Sequence, residues 1–169
     1  MKRVLSKLLI AAALSLLLIT VLSPVDAAGT EDFLITIKSN NPGTSADNEF
    51  TIPINPGETY KYNVDCNNDG TLEFTKVSTS VTCTFSPPGI HTVRISDGMG
   101  DDTGFPRIYF NNGGDKEKVL SIDQWGTLKW TSMANAFQGC SNLEVSATDA
   151  PDLSGVANMN YMFEGASSL

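Results

Sequence analysis

The chain has little of what most catalytic and nucleic-acid-binding sites require. It contains one histidine, three cysteines, and 11 basic against 19 acidic residues among its 169. A single imidazole cannot build a multi-histidine zinc site, and no serine or cysteine lies in a recognisable nucleophile motif. The shortage of lysine and arginine argues against binding to nucleic acid or anionic lipid. We therefore predict a protein without enzymatic activity and without a cofactor, apart from a weak calcium candidate described below.

Residues 1–27 carry the features of an export signal. MKRVLSK supplies three cations, an uncharged run from Leu8 to Leu22 follows, and Ala27 ends a segment that a signal peptidase would cut. The run is shorter than the roughly 20 residues of a membrane-spanning helix, although an uncleaved anchor remains the alternative. We predict a secreted or cell-surface protein, with no membrane contact beyond the signal peptide. Its mature part would have a formal charge of 8 − 18 = −10.

Residues 30–112 are typical of an antiparallel β-sandwich. Short segments rich in β-branched and aromatic residues alternate with turn signals such as Asn55-Pro-Gly57 and Asn68-Asp-Gly70. The predicted strands are 33–38, 50–54, 60–64, 80–85, 91–95 and 107–110.

The three cysteines of an exported chain predict one disulfide and one remaining thiol. Cys66 and Cys83 are the candidate pair, because both lie in strand-like segments of the same predicted domain. Three buried thiols are the alternative. Cys140 has a different explanation, since it aligns with Ala166 in the repeat described next and so indicates a small core residue.

Residues 113–129 are interpreted as a junction strand and linker, and residues 130–169 as a repeat. Asp115–Lys118 is polar enough to predict a hinge, and Trp125 and Trp130 are expected to cover the junction. Beyond Lys129, the sequence aligns with itself at an offset of 26 residues, a period found in leucine-rich-repeat solenoids.

Each repeat unit is predicted to contain a short helix, at 133–138 in the first copy, and a short strand at 143–147. Because the second copy stops where its strand should begin, we expect a fragment of a longer array. The predicted repeat core comprises Met133, Phe137, Leu143, Leu153, Met159, Met162, Phe163 and Leu169.

Two families share these patterns. Asp152-Leu-Ser154, Met162-Phe163 and Ser167-Ser-Leu169 resemble the units of BspA-like leucine-rich-repeat surface proteins of bacteria. Asn63–Gly70 and Pro88–Ile95 resemble the turn and strand of a PKD-like, immunoglobulin-like sandwich. The resemblance implies a sandwich followed by the start of an α/β leucine-rich-repeat solenoid. It also implies a surface or secreted protein, since some members of the repeat family act as adhesins.

The segment Asp65–Gly70 opens like a calcium loop, with Asp65, Asn67 and Asp69 as candidate oxygen ligands. An EF-hand is excluded, because its twelfth position is Lys76 and no helices flank it. A hairpin turn explains the same residues, since Asn, Asp and Gly tolerate left-handed backbone angles.

These features predict a non-enzymatic protein that mediates adhesion, or binds an extracellular protein or glycan, through a leucine-rich-repeat face. The alternatives are the accessory binding module of a secreted polysaccharide-degrading enzyme and a truncated remnant without function. Further 26-residue copies encoded beyond Leu169 would favour the array.

Overall fold

The computed structural model describes residues 29–169, and the predicted signal peptide lies outside them. The prediction of a mainly β protein is confirmed, and in the described part no helix has the length and apolar character needed to cross a membrane. One 3-10 turn, Lys116–Lys118, precedes β7. The strands are β1 Phe33–Lys38, β2 Glu49–Thr51, β3 Tyr62–Asp65, β4 Phe74–Val77, β5 Thr82–Thr84, β6 Ile90–Asp97, β7 Val119–Gln124 and β8 Glu144–Val145.

The strands form one large and one small sheet. The large sheet has the order β4-β3-β6-β1-β7-β8, and the small sheet pairs β2 with β5. All strand pairs are antiparallel except β7 with β8, which lies outside the predicted sandwich of residues 30–112, so the large sheet is mixed. In β1, Phe33, Ile35 and Ile37 are fully buried, whereas Thr36 between them points to the opposite face.

A continuous apolar core runs from the small sheet to the first repeat unit. Cys66, which follows β3, and Cys83 of β5 form a disulfide that joins the two sheets. At the other end of the core, the Phe33 ring lies 5.8 Å from Trp125 and 5.2 Å from Trp130, measured between ring centroids. Trp125 and Trp130 therefore cover the junction between the β region and the first repeat unit by direct contact with β1.

Two strand predictions need correction. Residues 107–110 form no strand, because the Phe110 N–H donates to the Ala136 carbonyl in the repeat and the Tyr109 N–H to the Pro53 carbonyl. Strand β4 was not predicted, since only Phe74 and Val77 at its ends are apolar and neither is fully buried. It is one of the two edge strands of the large sheet, opposite β8.

The prediction of a polar hinge at residues 115–118 was wrong. Asp115 is 1% exposed and Lys118 is fully buried. The Asp115 carboxylate accepts hydrogen bonds from the backbone N–H groups of Thr44, Ser45 and Thr51. Burial raises the pKa of Asp115, but these bonds and the nearby Lys118 charge outweigh that effect and lower it. The segment fastens the loop before β2 to the start of β7.

The predicted helix at 133–138 is a series of turns, with no helical segment. Asn135 has a φ of 58°, in the left-handed region that ends a right-handed helix. Alternate N–H groups instead donate to the next unit, as in a sheet. We name residues 129–151 coil 1 and residues 152–169 coil 2. The bonds join Met133, Asn135, Phe137 and Gly139 to the carbonyls of Asn158, Asn160, Met162 and Glu164, at 2.7–2.9 Å.

Candidate binding surface

The outer face of the large sheet carries a row of connected polar side chains. On β1, the Thr36 hydroxyl donates to Asp123 Oδ2 at 2.6 Å and lies 3.3 Å from the Thr92 hydroxyl on β6. Asp123 Oδ1 accepts from Ser146 Oγ at 2.9 Å, and Ser146 Oγ lies 2.7 Å from Ser121 Oγ. We name these five residues the polar row. It crosses from the antiparallel strands to Ser146, which directly follows β8 in coil 1.

Strand pairing explains why these side chains meet. Thr36 and Thr92 are register partners, so both point away from the core side that Ile35 and Val93 occupy. Ser121 pairs with Glu144 in the parallel ladder between β7 and β8. Because β8 is the outermost strand, its second edge is not paired with any strand in residues 29–169. A further coil would extend the polar face by one strand.

A second set of polar contacts follows the turns of the two coils. Ser132 Oγ donates to the Asn158 carbonyl at 3.4 Å, and Ser167 Oγ to the Ser141 carbonyl at 3.3 Å. The Gln138 amide donates to a Glu164 carboxylate oxygen. Each of these pairs has the 26-residue offset that the sequence shows. Equivalent residues of the two coils therefore lie one above the other.

The repeat core predicted from the sequence is only partly buried. Met133, Phe137 and Leu143 of coil 1 are fully buried, and the Phe163 ring stacks on Phe137 at 5.6 Å. Met162 and Phe163 are partly buried against the core. Leu153, Met159 and Leu169 are 36%, 53% and 57% exposed, because nothing in residues 29–169 packs on the far side of coil 2.

The candidate calcium ligands Asp65, Asn67 and Asp69 lie in a turn. Asp65 is fully buried, and its carboxylate accepts the N–H groups of Asn67 at 3.3 Å, Asp69 at 3.1 Å and Gly70 at 2.8 Å. Its Oδ2 also lies 3.5 Å from Arg94 Nε. One carboxylate oxygen from each of Asp65, Asp69 and Glu73 lies within 4.8 Å of the other two. The buried Asp65 carboxylate, however, already has protein partners. We derive no cation site from this cluster.

Cys140 is a buried residue of coil 1. Burial raises the pKa of its thiol to about 12, with a smaller opposing effect of the Lys116 charge. A thiol with such a pKa is almost entirely protonated near neutral pH and is a poor nucleophile. The thiol therefore fits the packed interior that its alignment with Ala166 indicates, and Ala166 is buried as well.

Sequence reasoning missed two structural features, the polar row and the burial of Asp115 and Lys118. The alternation of β1 indicates that Thr36 faces outward, but it does not identify the strands beside it. The row exists only because β7 pairs with β1 across a gap of more than 80 residues, with Thr36 opposite Ser121. No local pattern in the chain contains that information.

Comparison with known proteins gives one family match. Residues 108–169 match the model of a family described as a Mycoplasma protein of unknown function, DUF285. The match covers β7, coil 1 and coil 2. No curated protein and no solved structure matches the chain.

Proposed function

We propose that this chain is an exported, non-enzymatic protein that binds an extracellular protein or glycan through the outer face of its large sheet. The observation that carries the proposal is the stack of coils 1 and 2, in which equivalent residues align at the 26-residue offset. Coil 1 adds the strand β8 beside β7, and a further coil that places its own strand beside β8 would enlarge the polar face in the same way. A broad face of this kind suits a large partner.

In this proposal, the finer architecture is an immunoglobulin-like or PKD-like sandwich followed by BspA-like leucine-rich repeats. The two sheets joined by the disulfide Cys66–Cys83 support the sandwich. The parallel pair β7–β8 and the buried Leu143 support the repeat, since leucine-rich repeats place parallel strands side by side. The coils differ from the expected α/β unit because turns replace the helix.

The chemistry of the face fits a polar partner. The polar row offers four hydroxyls, which can donate or accept, beside the Asp123 carboxylate, and Glu144 next to it is exposed. Such groups exchange hydrogen bonds with peptide amides or with sugar hydroxyls. The negative charge of residues 28–169, 8 − 18 = −10, opposes anionic partners and attracts basic ones.

Export supports an extracellular partner and is tested separately. The disulfide fits an oxidising compartment, and residues 1–27 fit a signal peptide. Expression in a bacterial host, followed by fractionation and mass spectrometry of the N-terminus, should find a chain that starts at Ala28 outside the cytoplasm. A full-length chain that stays in the cytoplasm would contradict export.

Binding is tested with the exported protein on a panel of matrix proteins, including fibronectin, fibrinogen, laminin and collagen, and on a glycan array. Reversing the charge at the exposed Glu144 with Glu144→Lys should abolish any signal, and Asp47→Lys should leave it unchanged. Asp47 is the matched control, because it is exposed and precedes β2 of the small sheet. An equal loss of binding in Glu144→Lys and Asp47→Lys would contradict binding through the outer face. Retention on polysaccharides alone would favour the accessory module of a secreted enzyme.

A further inference from the structure

A cleft of about 470 Å³ opens where the free margins of the two sheets face each other. Phe74 of β4 lines one wall, and Thr82 and Thr84 of β5 line the other. Cys66 also lines the cleft, so the disulfide to Cys83 ties the walls together. The volume lies within the roughly 300–1,000 Å³ of small-molecule pockets. This cleft is separate from the polar row and from the coils.

The walls of the cleft are held rigidly. The Phe85 and His91 rings stack with centroids 4.2 Å apart and planes inclined by 13°. His91 Nε2 lies 3.1 Å from the Pro87 carbonyl, and because a carbonyl only accepts, Nε2 carries the proton that is donated. This bond fixes the ring and leaves Nδ1 for another partner. A pocket with fixed walls requires little ordering when a ligand binds.

Several polar groups of the cleft have unused hydrogen-bonding capacity. Glu73 accepts the Cys66 N–H through Oε2 at 2.7 Å, which leaves Oε1 for a ligand. Within residues 29–169, the hydroxyls of Thr84 and Ser86 make no hydrogen bond of their own. The half-buried Phe74 ring adds an apolar surface. The cleft therefore combines one aromatic wall with a carboxylate and two hydroxyls.

We propose that this cleft binds a neutral sugar unit. A pyranose has an apolar C–H face that packs on an aromatic ring and an edge of hydroxyls that exchange hydrogen bonds with carboxylates and alcohols. An apolar ligand would cover Glu73 Oε1 and the hydroxyls of Thr84 and Ser86 without giving them hydrogen-bond partners, which costs free energy. An anion would be repelled by the Glu73 charge and by the net negative charge of the protein.

The test is a titration of the ¹⁵N-labelled exported protein, followed by amide NMR spectra. The probes are glucose, galactose, mannose and N-acetylglucosamine, each with its methyl glycoside, up to about 50 mM, since one small pocket gives affinities near the millimolar range. At least one sugar should shift the amide signals of β4 and β5. Binding of the methyl glycoside indicates a glycan end, and binding of the reducing sugar alone indicates a free sugar.

Two substitutions locate the binding. Thr84→Val removes one hydroxyl and keeps the shape, and Glu73→Gln keeps an acceptor for the Cys66 N–H while removing the charge. Each should weaken binding by about fivefold or more, as expected for one lost hydrogen bond. The matched controls are Thr75→Val on β4 and Asp47→Asn before β2, which lie outside the cleft lining and should bind as the parent does.

Three results would overturn the proposal. The first is the absence of any shift at β4 and β5 with all the sugars. The second is equal weakening in Thr84→Val and Thr75→Val. The third is a shift with methylammonium but with no sugar, which would make the cleft a cation site. None of these results bears on the outer face, because the Glu144→Lys variant reports on that face independently.

Discussion

Replacing Lys118 with methionine should destabilise the protein strongly, although sequence reading placed this residue in a hinge. Lys118 is fully buried, and its Nζ donates to the carbonyls of Ser45, Ala46 and Glu49 at 2.8–3.2 Å and to Ser45 Oγ at 2.9 Å. Methionine retains most of the apolar stem and removes the donors. The buried Asp115 carboxylate then loses its nearby positive charge.

The size of the effect follows from leaving buried groups unpaired. Lys118→Met leaves three backbone carbonyls and the Ser45 hydroxyl without their Lys118 donor, at about 1–3 kcal/mol for each group that stays unsatisfied, so we expect a total cost of about 3–5 kcal/mol. Domains are stable by about 5–15 kcal/mol, so Lys118→Met should remove roughly a fifth or more of the free energy of unfolding. At roughly 3 °C per kcal/mol for a chain of this size, the melting temperature should fall by about 10–15 °C.

Urea unfolding followed by tryptophan fluorescence measures this loss, because Trp125 and Trp130 are 5% and 1% exposed and change environment on unfolding. The control is Lys116→Met, two residues earlier, where Nζ makes one exposed hydrogen bond to Asn112 at 2.6 Å. That variant should differ from the parent by about 0.5 kcal/mol or less. If both variants have the same free energy of unfolding, the cluster does not hold the loop and the reasoning fails.

The remaining predictions use the same assay. The pKa of Asp115 is lowered in the folded state, so the carboxylate stabilises the parent protein above the unfolded-state pKa, and this stabilisation disappears as the pH falls through the folded-state pKa. The free energy of unfolding of Asp115→Asn should therefore fall less steeply in acid than that of the parent. Reducing the disulfide, which closes a separation of 17 residues, should cost about 3 kcal/mol. Phe137→Ala should cost about 3–5 kcal/mol and the partly buried Phe163→Ala about half as much. Fusing another copy of 144–169 after Leu169 should raise stability by about 1–3 kcal/mol, whereas a copy with its Met and Phe changed to Ser should not.

The fold was predictable from the sequence where the structure depends on local patterns. Five of the six strands in residues 33–97, the disulfide partners and the 26-residue offset of the coils were predictable from alternation or from direct comparison of segments. The buried state of Met133 and Phe137 also follows from their spacing. Spacing by four does not identify a helix, however, because tight turns bring the same two residues to one side.

The remaining features depend on pairing between distant segments. Asp115 and Lys118 look solvated in the sequence, and they become buried only because the loop of Thr44 and Ser45 supplies polar partners 70 or more residues away. The polar row likewise depends on the pairing of β1 with β7. Charged residues do not indicate burial when their partners are distant, and so their cluster was mistaken for a hinge.

The large sheet shows how the coils can start without a dedicated capping unit. A repeat unit cannot bury its own apolar side and needs a neighbour on each face. Coil 1 has such a neighbour on one face, because the segment of Phe110 bonds to its turns and Phe33 packs against Trp130. Coil 2 covers its other face. Since the β region covers the first face, any further coil has only the far side of coil 2 on which to pack, where Met159 is exposed. In the proposed array, the stack would therefore grow in one direction only, and each further coil would widen the outer face from β8 onward.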